Sequence, residues 1–442
     1  MAINLNKLPY ELENLTPIQA KLLDDWTHRF IVNPAGRRSR KTLIGKRKVF
    51  YHALTHDGYH YFHGAPTYQQ AKEIFWEDLK RYTAAVRIDK SESELWVRLC
   101  NGSKIKVVGL DKPERIEGQV WHGCHITEMG KIKPGAWEEN IRPTLSDTKG
   151  FALLDGVPEG INHYFDLALY SAGGALPETF PKIGSFAENP ADPEWAYYHW
   201  FSVDVLDERE IELARMHMDE RTFRQEYLGS FESYEGLAYY SFGKDNLKDC
   251  QYVPEVKEGH RKQKNIIHIG MDFNVNPMTA TFNHIYSNDI HQFGEAYLIN
   301  SNTFEMRDHI KEKFPIEQCI IYPDSTGRAM ESNASESDLA ILKKAGFQVK
   351  ARPSNPYVKD RVAAMNSKIR SDDGKCHYFV NAKDCPKTIE DMNKVETTSD
   401  GRLNKKQEEQ GLKHITDAQG YLIHYLFPVK ARTFGGIDRF DN

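Results

Sequence analysis

The chain has 442 residues, 40% of them hydrophobic, with 58 Lys+Arg against 63 Asp+Glu and a net charge of −5. That length fits two or three domains, each able to bury a core, and no run of about 18 apolar residues is present to span a membrane. The six cysteines, at 100, 124, 250, 319, 376 and 385, form no CxxC pair and sit mostly in apolar runs, so neither a disulfide framework nor a zinc site is expected.

In chain order, MAINLNKLPYELENL lacks the basic start and apolar stretch of a secretory signal, and an intracellular protein is expected. His28–Asn33 reads as a short strand ending in Pro34-Ala35-Gly36, with a helix beginning near Thr42. Arg29–Lys48 holds eight basic residues and no acidic one, which suits phosphate or another polyanion. Tyr59–Ala65 reads as a strand and Tyr68–Tyr82 as a helix. Glu94–Leu99 and Ser103–Leu110 flank Asn101-Gly102, a hairpin signal. His122–Glu128 and Gly150–Asp155 are further strands, with a helix around Gly135–Ile141 between them. Strands alternating with helices imply a mostly parallel sheet covered on both faces.

Residues 151–250 carry 7 basic and 19 acidic side chains, and the pattern over 205–233 is helical and charged, so this stretch reads as a solvated helical linker. Beyond a loose stretch at Glu255–Lys264, Ile266–Phe273, Met278–His284 and Ile290–Leu298 form three consecutive strands. A helix at Thr303–Lys313, a strand at Gln318–Tyr322, a helix at Asp338–Ala345 and a strand at Phe347–Ala351 follow, then helices at Asp360–Ile369 and Ile415–Phe427. A three-stranded meander followed by α/β crossovers is the order of an RNase H-like domain. The expected division is therefore an α/β chain of three parts. These are a domain with a mostly parallel sheet over 1–204, a helical linker over 205–258 and an RNase H-like domain over 259–442.

Two constellations carry chemistry. Ala35-Gly36-Arg37-Arg38-Ser39-Arg40-Lys41-Thr42 joins a strand to a helix, where amides of Gly36, Arg37, Arg38 and Ser39 would face phosphates, Lys41 would reach them and Thr42 would hold Mg²⁺. The general pattern has Gly where Ala35 and Arg40 stand, and a basic loop that binds no nucleotide is the alternative. Downstream, Gly123–Glu128 ends a strand in a carboxylate, expected to lie beside that loop as the general base, with Thr127 in the place of a metal-shell acid. A salt-bridged strand-end acid is the alternative for Glu128. The second constellation is Asp272 (MDFNVNP), Asp324 (YPDSTG) and Asp417 (HITDAQGY), which an RNase H-like sheet would bring to one point. Three such carboxylates need cations, and two Mg²⁺ or Mn²⁺ ions roughly 3.5–4 Å apart would neutralise them and polarise a phosphodiester. Glu295 is a candidate fourth ligand, or an exposed edge-strand acid.

These segments resemble the large terminase subunits of tailed bacteriophages. GRRSRKT, APTYQQAK (65–72), GLDKPERIEG (109–118) and ITEMGKIKPGAWEENIRPTL (126–145) resemble the family's ATPase half in family order, and MDFNVNP, YPDSTG and HITDAQGY its nuclease domain. Thr16-Pro17-Ile18-Gln19 resembles the adenine-reading glutamine motif and Leu154–Asn162 the motif coupling hydrolysis to movement, with Gly156 where the family has Thr or Ser. The resemblance implies an α/β P-loop (RecA/ASCE-like) ATPase domain over 1–204 and an RNase H-like nuclease domain over 259–442, together an ATP-driven translocase of double-stranded DNA fused to a two-metal endonuclease in the host cell cytoplasm. It implies a ring, usually a pentamer, docked on a portal protein with a small terminase subunit as partner. It makes Gln19 an ATP contact, Arg37 a phosphate contact, Arg115 (or Arg142) an arginine finger acting on a neighbouring subunit, and Lys359, Asp360 and Arg361 DNA-proximal. Two other readings stand: a nuclease whose N-terminal domain binds nucleotide without hydrolysing it, and a helicase–nuclease.

Overall fold

A computed structural model describes residues 15–233, 235–258, 261–328, 337–398, 403, 407 and 412–429; the N-terminal segment 1–14, expected to lack a secretory signal, lies outside them. The chain forms two compact units. One runs to Ile211 and takes back Arg224–Glu232, and the other comprises Glu212–Phe223 and the described residues from Ser233 onward. Among the described residues no helix is long and apolar enough to cross a membrane, and all six cysteines are free.

The strands of the first unit are β1 (Phe30–Pro34), β2 (His60–Ala65), β3 (Arg87–Ser91), β4 (Trp96–Leu99), β5 (Lys104–Gly109), β6 (Gly123–Ile126), β7 (Phe151–Gly156), β8 (Ser185–Glu188) and β9 (Trp195–His199). They form one sheet in the order β3-β4-β5-β2-β6-β7-β1-β9-β8. The run from β5 to β9 is parallel, and the strands at both edges are antiparallel. Covering both faces makes β1 apolar on both. Phe30 and Val32 pack with Trp137 and Trp195, while Ile31 packs with Leu153, Ala196 and Trp200. Helix α1 (Pro17–Asp24) and helix α2 (Lys41–Thr55) lie on that second face. The expected hairpin is β4–β5, with Gly102 at φ 85° in its turn. The helix after β2 is continuous from Tyr68 to Thr83 through a π turn at Lys72–Trp76.

The stretch 205–258, expected as one linker, is divided between the units. Its charged pattern breaks into two helices, Glu208–His217 and Glu220–Leu228, because Asp219 turns the chain and accepts the Thr222 amide at 3.2 Å as an N-cap.

In the second unit a short strand β10 (Gly236–Leu237) and a hairpin of β11 (Glu255–Glu258) and β12 (Arg261–Lys264) precede the main sheet. Its strands are β13 (Ile267–Asp272), β14 (Met278–Tyr286), β15 (Asp289–Leu298), β16 (Cys319–Pro323), β17 (Gln348–Val349) and β18 (Tyr378–Val380), in the order β17-β16-β13-β14-β15-β18. The meander β13–β14–β15 is antiparallel, and β16 joins β13 in parallel. The final described helix, His414–Leu426, crosses β13 at close range: a Cβ on Gly270 would collide with the Ala418 carbonyl. Its residues His414 to Gly420 are all buried.

Candidate functional site

In the first unit the chain leaves β1 at Pro34 and crosses Ala35–Arg40 before α2 begins at Lys41. Arg38 and Arg40 take left-handed φ values of 55° and 66°, a backbone hand that turns successive N–H groups inward. Gly36 leaves no room for a side chain, since a Cβ would meet Ser202 Oγ and lie 2.5 Å from the Tyr227 carbonyl oxygen. Lys41 is buried and donates to the Gly36 carbonyl at 3.1 Å. Burial pushes its ammonium below the ordinary range, against the pull of the Glu128 and Asp155 carboxylates; a phosphate would supply the missing anion. Ser39 Oγ is buried without a hydrogen-bond partner among the described residues.

Several expected roles are corrected. Gln19 is fully buried: its Nε2 donates to the Ser39 carbonyl at 3.0 Å and its Oε1 accepts the Thr16 amide at 3.0 Å. It braces the loop and presents no surface to adenine. Arg37 is tied to Glu226, its guanidinium paired with that carboxylate and its N–H donating to the Glu226 carbonyl at 2.6 Å, while its charge is still felt at Lys41 and Glu128. The basic run is partly structural, because Lys46 pairs with Asp78 at 2.7 Å and Lys48 donates to the Leu22 and Leu23 carbonyls closing α1. Arg38, within the loop, is exposed.

The strand leading to Glu128 is not the neighbour of β1, because β7 intervenes. The loop is reached by side chains instead, with Thr127 Oγ1 3.1 Å from Thr42 Oγ1. Glu128 follows at φ 56° and pairs with Lys131 at 2.8 Å, which also contacts Glu159 at 3.2 Å. Burial alone would raise its carboxyl, but Lys131 and Lys41 outweigh it and hold it below the usual range, so Glu128 is ionised. Arg115 is exposed on a 3₁₀ turn, Pro113–Ile116. Arg142 is exposed over the Phe30 ring, at the end of β1 opposite the loop.

In the second unit three elements carry the aspartates. Asp272 ends β13, Asp324 follows the adjacent β16 with its N–H donating to the Met271 carbonyl at 3.1 Å, and Asp417 sits in the first turn of the final helix. All three are buried. Asp272 is pushed up to about 6 by burial, against a His414 hydrogen bond, with the Asp417 and Asp324 carboxylates adding to the rise. Burial likewise raises Asp324, against hydrogen bonds from Thr326, and its Oδ1 has no partner among the described residues. That orphaned oxygen and the mutual repulsion fit a hard cation. As placed, no three His, Cys, Asp or Glu side chains among the described residues are grouped closely enough to hold an ion. Asp417 is instead neutralised by Arg361, 2.5 Å away and equally buried.

Arg361 is therefore not the DNA-facing residue expected; its stem packs against Gly420. Asp360 on the same helix, Val358–Ile369, is exposed and Lys359 half-buried. Glu295 is no ligand: its carboxylate accepts the Lys387 amide at 2.7 Å, the Thr388 amide at 2.9 Å and Thr388 Oγ1 at 2.8 Å, capping the helix Pro386–Lys394. Three supporting residues escaped the sequence reading. His414 Nδ1 lies 3.2 Å from Asp272 Oδ2. Asp391 accepts the Lys413 and Thr416 amides at the start of the final helix. Asp155 ends the apolar β7 as Asp324 follows β16, the same signal that marked Asp324.

Comparison with known proteins adds the following. Residues 269–426 match the family described as terminase RNaseH-like domain. Over 275 residues, 56% of this chain, the sequence is 27% identical to the large terminase subunit of Thermus phage G20c, of which the match spans 55%. Over 81% of this chain it is 21% identical to the large terminase subunit of Escherichia phage T5, of which the match spans 79%. The chain thus matches about half the length of the Thermus phage protein. The fold is that of the large terminase from a thermophilic bacteriophage, with a TM-score of 0.58 at 15% identity over 94% of this chain and 99% of that one. That terminase has also been solved in complex with ATP-γ-S.

Proposed function

Starting from its kinship with the terminase large subunits, we propose that this chain is the motor and nuclease of a viral DNA-packaging machine. ATP hydrolysis in the first unit drives double-stranded DNA into a procapsid, and the second unit cuts concatemeric DNA. The observation that supports this reading is that the buried carboxylates of Asp324 and Asp417, carried by two further elements, lie near enough to that of Asp272 to raise it. The large terminase of the same fold binds ATP-γ-S.

Gly36 keeps the loop backbone free for close approach, Lys41 neutralises β- and γ-phosphate charge, and Thr42 holds Mg²⁺. ATP with Mg²⁺ supplies the cleavable phosphoanhydride and offsets the charge of its phosphates. Glu128, ionised by Lys131 and Lys41, takes the proton of the attacking water. Arg115 of a neighbouring subunit serves as the finger, with Arg142 second. In the nuclease, Asp272, Asp324 and Asp417 would hold two Mg²⁺ or Mn²⁺ ions, which would supply polarisation of the phosphodiester. His414 and Asp391 hold the first and third of these carboxylates in place. The functional assembly is a ring, a pentamer on a portal protein, with a small terminase subunit choosing the site, in the cytoplasm of the infected host.

Phosphate release by purified protein with and without duplex DNA tests the motor. Wild type is expected to be DNA-stimulated, and Glu128→Gln to lose roughly 100-fold or more of that rate. Undiminished release by the variant would contradict the assignment. Nucleotide binding with no release by wild type would favour the nuclease with a non-hydrolysing N-terminal domain.

A further inference from the structure

The strand-end acid that should support the metal at Thr42 is Thr127, a neutral residue, yet a carboxylate stands directly behind it. Asp155, at the end of β7, is fully buried, and both its oxygens are engaged. Thr127 Oγ1 donates to Asp155 Oδ1 at 2.6 Å, and His125 Nε2 lies 2.6 Å from Asp155 Oδ2. The bond directions follow from this. The Thr127 hydroxyl has a single proton, and its 2.6 Å bond commits that proton to Asp155. Thr127 Oγ1 must then accept at its 3.1 Å contact with Thr42 Oγ1, so the Thr42 proton points at Thr127. With its proton donated to Thr127, Thr42 Oγ1 keeps both lone pairs, which an ion can use.

The surroundings hold this relay rigidly. His125 packs onto α2 where Gly45 leaves no room for a side chain, and its Nδ1 lies 3.3 Å from His63 Nδ1. Burial and the neighbouring His125 hold His63 well below its ordinary range, so it contributes no positive charge. The Asp155 carboxylate is instead felt at Lys41, whose ammonium it stabilises together with Glu128.

We propose that Asp155, acting through Thr127, is the positioning residue that replaces the missing strand-end acid: it orients Thr42 Oγ1 and places a negative charge behind it for the Mg²⁺ of a bound nucleotide. This rests on the nucleotide-site reading above. The position moves the acid from β6 to β7, one hydroxyl further from the ion, and the departure at Thr127 is thereby compensated within the fold.

The test is the affinity for ATP-γ-S measured by calorimetry in MgCl₂ and in EDTA, with the ratio of the two as readout. For wild type Mg²⁺ tightens binding. In Asp155→Asn and in Thr127→Val that ratio is expected to fall by roughly 10–100-fold, the usual effect of removing a group that orients a metal ligand. The double variant Thr127→Asp with Asp155→Asn puts the carboxylate against Thr42 and is expected to recover it. Should Asp155→Asn fail to fold, Thr127→Val, which keeps the side-chain shape, decides the matter. A wild-type ratio in a folded Asp155→Asn or Thr127→Val protein would sink the relay alone. A double variant of normal melting temperature that stays uncoupled from Mg²⁺ would do the same. Absence of ATP-γ-S binding by wild type under both conditions would remove the nucleotide-site reading, and the relay with it.

Discussion

Replacing Arg361 by Met tests how the aspartate cluster is held together without ions. The Arg361 and Asp417 side chains are only 6% and 9% exposed and lie 2.5 Å apart. Methionine keeps the aliphatic stem against Gly420 and removes only the charge. Breaking a buried ion pair on one side costs about 3–5 kcal/mol, since the remaining carboxylate is left without water or a partner. For a unit of this size that lowers the melting temperature by on the order of 10 °C. Thermal unfolding in EDTA measures this loss. A divalent ion can supply the charge that the guanidinium gave, so Mn²⁺ is expected to raise the melting temperature of Arg361→Met more than that of wild type. A variant melting within about 2 °C of wild type in EDTA, or an equal response of both proteins to Mn²⁺, would refute the view that Arg361 stands in for a cation.

Further outcomes follow from the same unit. Asp272 is raised from an ordinary 3.8 to about 6, chiefly by burial, so between those values the folded state keeps a proton that the unfolded state has lost. Stability of the ion-free protein therefore falls as pH rises from about 4 to 6, by at most ~1.4 kcal/mol per pH unit. Chemical denaturation in EDTA should find that slope reduced in Asp272→Asn; identical profiles would contradict it. Glu295→Ala removes a helix cap and is expected to lose about 1–2 kcal/mol of stability while Mn²⁺ binding by calorimetry stays unchanged, whereas a lost ion would restore Glu295 as a ligand. Gly270→Ala forces a methyl group against the Ala418 carbonyl. The expected result is a loss of about 1–3 kcal/mol together with weaker Mn²⁺ binding, as Asp417 shifts. Unaltered Mn²⁺ affinity would show that helix position and metal site are uncoupled.

What could be read from the sequence tracks how each element is buried. β1, β13 and β16 are short apolar runs closed by Pro, Asp or Gly, and they declare themselves without a partner in view. β3 (RIDKS) is an exposed edge strand whose side chains carry no period, so only pairing with β4 makes it a strand. The helix Pro386–Lys394 mixes polar and apolar residues within nine positions and went unread. Glu295 was in turn read as a candidate ligand or an exposed edge acid, because the N-terminus of that helix, which it caps, was not in view.

The places of the three aspartates, at the ends of β13 and β16 and in the first turn of the last helix, could be read because apolar strands precede two of them and an apolar face rotates the third inward. Arg361 was not, since a basic residue on a charged helix reads as surface until the small Gly420 opposite admits it. Gln19 was found by its motif, but its burial depends on Ser39, twenty residues away. The insertion of β7 between β1 and β6 is a matter of strand order, which periodicity does not carry. Asp155 shared the strand-end signal of Asp324, and what hid its role was that its effect passes through a second side chain.

The most direct measurement is cleavage of supercoiled plasmid by the purified chain in Mn²⁺ or Mg²⁺, beside an EDTA control and Asp324→Asn. Asp324 is the member of the cluster with a buried oxygen left unpartnered, so its loss should abolish cutting while fold and nucleotide binding persist. Metal-dependent nicking and linearisation by wild type, absent from the variant, is the predicted result. Cutting by a folded Asp324→Asn at the wild-type rate, or cutting unaffected by EDTA, would contradict the two-metal nuclease on which the account rests.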